Sequence, residues 1–224
     1  MTSDLQHPSS LCPLPFALCP AIVAAIVLLS SAPGARQQTP PPLLDPAKLT
    51  ATAPESFNAL FDTSVGMFVV RVTRAWAPLG ADRFYNLVSA GFYNGNRFFR
   101  VVPKFMAQFG IHGDPAVSAA WKDATLPAER SKVSNTRGRI TFAQGQLASS
   151  RTTQVFINLG TNSRLDIDNF APFGEVITSM LIVERIYSEY GEGVEQGLIV
   201  AGGNAFLAQV LPRLSYIKTV TIAR

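Results

Sequence analysis

The sequence predicts a mainly β domain, and three observations carry that reading. The stretch Arg97–Gly110 divides into two extended runs hinged at Pro103. Val101 and Val102 are β-branched, and a residue directly before proline is driven out of the helical region, so the first run ends there and Phe105-Met106-Ala107-Gln108 begins the second. Phe57–Asp62 and Met67–Val72 are alternating apolar runs around Thr63-Ser64-Val65-Gly66, the pattern of a hairpin with a glycine-bearing turn. Further short strands read at Ile140–Ala143, Gln154–Leu159 and Ser215–Ile222.

The chain has 224 residues, 47% of them hydrophobic and 10% aromatic, which suits one globular domain with extensions. Its formal charge of +4 is carried by scattered Lys and Arg, with neither a basic run nor the interleaving of aromatic and basic residues that tracks a nucleic-acid strand. Nucleic acid is therefore not an expected partner. The two cysteines, Cys12 and Cys19, lie near the N-terminus, and the two histidines are His7 and His112. Neither a disulfide framework nor a Cys or His metal centre can be assembled from them in the domain, so no metal or cofactor is expected, and His112 reads as a loop residue.

From Leu14 to Ala32 the chain is uncharged and mostly apolar, followed by small residues and Arg36. This is the apolar core of a secretory leader, with cleavage sites after Gly34 or Ala35, although Met1–Leu11 carries Asp4 and lacks the usual positive charge. Retained, its about 19 residues lie at the lower end of what spans a bilayer, so residues 1–35 read either as a cleaved signal or as an N-terminal membrane tether. The protein is expected outside the cytoplasm, secreted or periplasmic. Residues 36–54 contain Thr-Pro-Pro-Pro and Asp-Pro and read as an extended linker, leaving 55–224 as the domain. A monomer is the expected assembly.

After the hairpin, Pro78 and Ala81–Val88 place Phe84, Leu87 and Val88 at helical intervals, with Gly91 as a stop. Asn94-Gly95-Asn96 turns the chain into the Arg97 stretch. There, alternation puts Met106 and Gln108 on one face and Phe105 and Phe109 on the other. Ile111–Arg137 reads as loops, as does Gln144–Thr153, whose serines have no neighbouring base to activate them. Thr178–Tyr187 reads as a second short helix ended by Tyr190-Gly191-Glu192-Gly193, and Asn204–Leu211 as an added helix before the last strand. No internal repeat or phosphate-binding glycine loop is present.

The run Phe-x-Arg-Val-Val-Pro-x-Phe-Met-x-Gln-x-Gly, Phe98–Gly110, closely resembles the signature of the cyclophilins, the barrel-type peptidyl-prolyl isomerases. Matching segments follow in order: Ile140–Ala143, Thr153–Asn158, Leu165-Asp166 and Phe173–Val176. The resemblance runs from about Phe57 to Arg224. It implies a closed eight-stranded antiparallel barrel capped by two helices, and an enzyme that rotates X–Pro peptide bonds in proline-containing polypeptides, here assisting the folding of exported proteins.

By position, Arg100 matches the family's catalytic arginine and Gln108 the glutamine that orients it. Phe105, Met106, Phe156 and Leu165 match the pocket for the proline ring, and Ala143 and Gln144 the backbone that binds the peptide. On the residues alone the four apolar side chains read as core packing. Two departures stand out: Arg164 replaces a tryptophan that in many members helps bind cyclosporin, and where members carry an active-site histidine this loop is one residue longer and offers Asn169 or Phe170. Two other classes fit the same residues, a groove that binds proline segments without turnover and an envelope scaffold.

Overall fold

The computed structural model describes residues 41–223 except Ser179, with Pro41 and Pro42 described by backbone alone. The leader read at 1–35 lies outside the described residues. Eight strands form one antiparallel sheet. In chain order the elements are β1 (Ser56–Thr63), β2 (Gly66–Thr73), α1 (Pro78–Ser89), β3 (Arg100–Val102), β4 (Met106–Phe109), α2 (Pro115–Trp121), β5 (Arg139–Phe142), β6 (Val155–Asn158), β7 (Pro172–Val176), α3 (Met180–Val183), α4 (Gln196–Val210) and β8 (Ile217–Ala223). The strands lie side by side in the order β3-β4-β6-β5-β7-β2-β1-β8.

The sheet is strongly curved but open, not the closed barrel expected. Its edges, β3 and β8, share no ladder; the chain before β3 meets the start of β8 through the Arg97–Tyr216 bridge, the bond from the Phe98 N–H to the Ser215 carbonyl, and bonds from the Gly95 N–H to the Ile217 carbonyl and from the Ile217 N–H to the Asn96 carbonyl. The reason is local. The contact does not run on along β3, because the outward N–H of Val101 is taken by the Gly191 carbonyl of a covering loop rather than by a strand.

The hairpin forms as its alternation dictates. Phe57, Ala59 and Phe61 of β1 and Phe68, Val70 and Val72 of β2 turn inward, with Phe61 stacked on Phe68 at 4.7 Å between ring centres. Helix α1 lays Phe84 onto Phe61, Tyr93 and Phe173, filling the hollow of the sheet. It ends at Gly91, whose φ of +74° suits glycine; the Gly91 N–H bonds the Val88 carbonyl and the Phe92 N–H the Leu87 carbonyl.

Four α-helices are described where three were read from the sequence and two were implied by the resemblance. Helix α2 lies where only loops were read; Asp114 caps it by accepting from the Ala116 N–H, and Pro115 starts it, so an N-cap followed by proline was a legible signal. Helix α3 covers only four of the residues expected to be helical, continuing as looser turns to Ile186. Helix α4 starts earlier than expected and breaks at Gly203, where φ is +58° and a Cβ would stand 2.2 Å from the Gly113 carbonyl oxygen. Its apolar side forms a second, smaller core with Phe99, Ile111 and Leu214.

Residues 41–54, read as part of a solvated linker, pack against the domain. Leu43 and Ala53 are buried, the Leu43 carbonyl accepts from the Trp121 indole at 2.9 Å, and the Ala53 N–H bonds Asp82 at 2.8 Å. Among the described residues no helix is long and apolar enough to cross a membrane.

Candidate active site

Strand register assembles the centre of the site. Arg100 on β3 stands opposite Gln108 on β4, and Gln108 stands opposite Phe156 on β6. Directly opposed residues share a face, so these three form one row across the sheet, with Met106 two residues from Gln108 on the same side. Phe105 does not follow the alternation read from the sequence. It belongs to the turn Pro103–Phe105, where Lys104 has a φ of +64°, and the strand begins only at Met106. The turn is fixed by two bonds to the Phe105 carbonyl, from the Leu159 N–H at 2.9 Å and from the Asn162 side-chain amide at 2.8 Å. Gly160 permits this approach, because a Cβ there would lie 2.1 Å from the Lys104 carbonyl oxygen.

Two loops make the opposite walls. In the first, Ser150 closes a turn, accepting from the Gly145 N–H and donating to the Leu147 carbonyl, while Arg151 turns inward to the partly buried Glu129. In the second, the short 3-10 turn Ser163–Asp166 leads to Phe170. Asp166 holds it by accepting from the Ser134 hydroxyl, the Asn135 backbone N–H and the Asn135 side-chain amide, which also donates to the Phe170 carbonyl. Burial pushes the Asp166 carboxyl upward, but these bonds outweigh it and leave it below the usual carboxylate value. The Gln144 amide ties the walls together by donating to the Asp168 carbonyl at 2.8 Å.

Between them lies a cleft of about 450 Å³, lined by Arg100, Phe105, Met106, Gln108, Ala143, Gln144, Phe156, Leu165 and Phe170 among others. All nine residues singled out in the sequence therefore come together. Met106 and Phe156, although 1% and 4% exposed, line the cleft and lie outside the two core clusters, which argues against plain core packing. Of Asn169 and Phe170, the cleft takes Phe170, whose ring meets Phe156 edge-on at 5.9 Å; Asn169 occupies a left-handed turn position, φ +58°. The exposed Arg164 guanidinium, at the position where the resemblance led one to expect a tryptophan, lies over the Phe105 ring at 5.0 Å.

The guanidinium of Arg100 is tied down at two places. Its Nη1 donates to Gln108 Oε1 at 3.2 Å, and Gln108 Nε2 donates in turn to Gln154 Oε1 at 2.7 Å. Its Nε donates to Glu192 Oε1 at 3.0 Å, and Nη2 bonds the same oxygen. Glu192, Gln154, Gly145, Ser150, Thr152 and Gln196 were not found by sequence reasoning, although all but Glu192 line the cleft. Alternation from Phe156 would have found Gln154; Glu192 lies 92 positions from Arg100 and has no local signal. His112 is not a lining residue: its Nδ1 accepts from the Asp114 N–H, its ring packs on Phe92, and burial holds its pKa below the ordinary value.

An apolar slot with a fixed cationic donor at its head, and no hydroxyl or thiol beside a base, suits binding and polarising an uncharged group rather than covalent catalysis. Among the described residues no group of three or more His, Cys, Asp or Glu is placed to hold a metal.

Residues 59–200 match the family described as cyclophilin type peptidyl-prolyl cis-trans isomerase/CLD. The chain is 32% identical over 155 residues to peptidyl-prolyl cis-trans isomerase A of Dickeya dadantii, covering 65% of this chain and 82% of that protein. It is 28% identical over 171 residues to peptidyl-prolyl cis-trans isomerase B of Escherichia coli, covering 73% and 98%. A crystal structure of a Cryptosporidium parvum cyclophilin type peptidyl-prolyl cis-trans isomerase superposes with a TM-score of 0.57 at 15% identity, over 75% of this chain and 98% of that one. The same protein in the presence of the dipeptide Ala-Pro gives 0.56. With the family pattern spanning most of the domain and its characteristic residues gathered on one cleft, the chain belongs to the cyclophilin-type peptidyl-prolyl cis-trans isomerases.

Proposed function

We propose that the cleft accelerates rotation about X–Pro bonds by holding the proline ring in the slot of Phe105, Met106, Phe156, Leu165 and Phe170 while Arg100 acts on the amide. Rotation is slow because resonance gives the C–N bond double-bond character, with a barrier of about 18–20 kcal/mol. Twisting localises the lone pair on the prolyl nitrogen. A donor aimed there stabilises the twisted amide more than the planar one, which is what lowers a barrier. Three of the five guanidinium N–H groups of Arg100 are used, one on Gln108 and two on Glu192, leaving one on each terminal nitrogen. The cross-strand pairing of Arg100 with Gln108 beside the slot is the observation that carries this reading.

Ala143 and Gln144 form the wall along which the peptide backbone runs. The clients are proteins exported by the same route as this chain, in keeping with the apolar stretch Leu14–Ala32, which delivers it across a membrane or keeps it as a tether.

The test is Arg100→Ala in an isomerase assay on a proline-containing peptide, with the affinity for the peptide measured alongside. The rate falls on the order of a hundredfold while the unfolding midpoint is retained. Wild-type turnover in the variant would overturn the role of Arg100. Peptide affinity without any turnover in the wild type would instead make the cleft a binding groove.

A further inference from the structure

We infer that Glu192 is a positioning residue for the isomerisation, one that orients the Arg100 guanidinium for the twisted amide; this rests on the role proposed above for Arg100. The carboxylate takes the side of the guanidinium formed by Nε and Nη2, while Gln108 takes Nη1. A guanidinium is planar, so partners on two of its sides fix both its rotation and its tilt. The N–H groups left over, one on each terminal nitrogen, are then held as a pair. With Gln108 alone, the arginine could pivot about a single bond and those donors would sweep an arc.

The carboxylate is itself held in register with the strand it serves. Glu192 follows Gly191, whose carbonyl accepts from the N–H of Val101, the residue next to Arg100. The turn is closed by bonds from the Gly191 N–H to the Ser188 carbonyl and from the Gly193 N–H to the Tyr190 carbonyl. Gly191 adopts a φ of +55°, a conformation that favours glycine, although nothing lies within 4 Å of where a Cβ would stand. The covering loop therefore does two things at once: it occupies the open edge of β3 and delivers a carboxylate to the side chain projecting from that edge.

Stability does not account for the pair. The Glu192 side chain is 62% exposed and that of Arg100 32% exposed, and ion pairs in such settings contribute little to folding. Nor does the carboxylate line the slot, so it does not bind the proline ring. Its contact with the site is through Arg100, and its removal acts on the orientation of a donor that matters most when the amide is twisted.

The experiment compares Glu192→Ala and Glu192→Gln in the full chain, each with Arg100 intact and in the Arg100→Ala background, by isomerase kcat and KM. With Arg100 present, Glu192→Ala lowers kcat about three- to tenfold with KM unchanged, and Glu192→Gln, which keeps an acceptor oxygen, falls between. In the Arg100→Ala background neither substitution has a further effect. The Arg100 Nε–H resonance moves upfield in Glu192→Ala, a readout independent of turnover. Gly191→Ala, which leaves the carboxylate in place but strains its turn, reproduces part of the loss in kcat. An unchanged or raised kcat in Glu192→Ala, or an equal loss in the Arg100→Ala background, overturns the inference while leaving the role of Arg100 standing. Full activity of Arg100→Ala itself would instead remove the reading on which it rests.

Discussion

Replacing Asp166 tests how the second wall of the cleft is held. Asp166 accepts from the backbone N–H and side-chain amide of Asn135, which is fully buried, and from the Ser134 hydroxyl nearer the surface. Asp166→Ala strands the Asn135 N–H, although the Asn135 amide keeps its bond to the Phe170 carbonyl. Counting two bonds to a charged acceptor from buried donors and discounting the exposed one, the loss is about 2–3 kcal/mol at neutral pH. Asp166→Asn keeps an oxygen for Asn135 and turns its amide to Ser134, so it forfeits only the charge, about 1 kcal/mol. The sign of the pH dependence follows from the lowered carboxyl. A group whose folded value lies below its unfolded value of about 3.9 stabilises fully above that value and loses the contribution as pH falls through the folded one. Urea unfolding of wild type and Asp166→Asn should therefore differ at pH 7 and converge in acid, once pH has fallen through the lowered carboxyl value and the native residue is a neutral near-isostere of asparagine. In the isomerase assay Asp166→Ala raises KM more than it lowers kcat, since Leu165 and Phe170 belong to the wall and Arg100 does not. An Asp166→Ala urea midpoint equal to that of wild type at pH 7, or a gap to Asp166→Asn undiminished in acid, would refute the reasoning.

Glu129→Gln leaves the Arg151 guanidinium, 1% exposed, without its counter-charge, and should lower stability by about 3–5 kcal/mol in chemical denaturation, with little change if Arg151→Met is made as well. Gly160→Ala drives a Cβ to 2.1 Å from the Lys104 carbonyl oxygen, backbone against backbone. It should cost about 1–3 kcal/mol and raise KM by displacing the turn that carries Phe105. Cyclosporin should inhibit weakly, because Arg164 supplies charge where the family's tryptophan supplies an aromatic wall and an indole donor. Arg164→Trp should tighten inhibition on the order of tenfold to a hundredfold in the same assay, and no gain would mean that Arg164 does not occupy the tryptophan's place.

What could be read in the sequence was whatever a short-range pattern carries. The hairpin Phe57–Val72 and the helix Pro78–Ser89 were legible because alternation, helical spacing and a terminal glycine are local facts, and the structure realises each within a residue or two. Helix α2 was readable and missed: Asp114-Pro115 is a start signal, but a seven-residue helix is too short for apolar spacing to announce. Helix α4 was half found, since the break at Gly203 is imposed by contact with Gly113, a residue 90 positions earlier. Closure of the barrel was expected from resemblance and not from any pattern in the chain. It fails where the outer edge of β3 is given to Gly191, a pairing no local rule contains.

The site divides along the same line. Arg100, Met106, Gln108 and Phe156 sit in strands, so their shared face follows from alternation once register is set, and the motif supplied the register. Phe105 shows the limit: alternation sends it to the far face, and only the turn at Lys104 brings it round to the cleft. Glu192 is the harder case, because a carboxylate in a glycine-rich turn looks like any solvated loop residue until the turn is seen lying along β3. What makes it informative is that the same short strand explains both surprises. The Val101 N–H, which a neighbouring strand would otherwise take, goes to the Gly191 carbonyl, so the edge that leaves the sheet open is also the edge that brings Glu192 to Arg100.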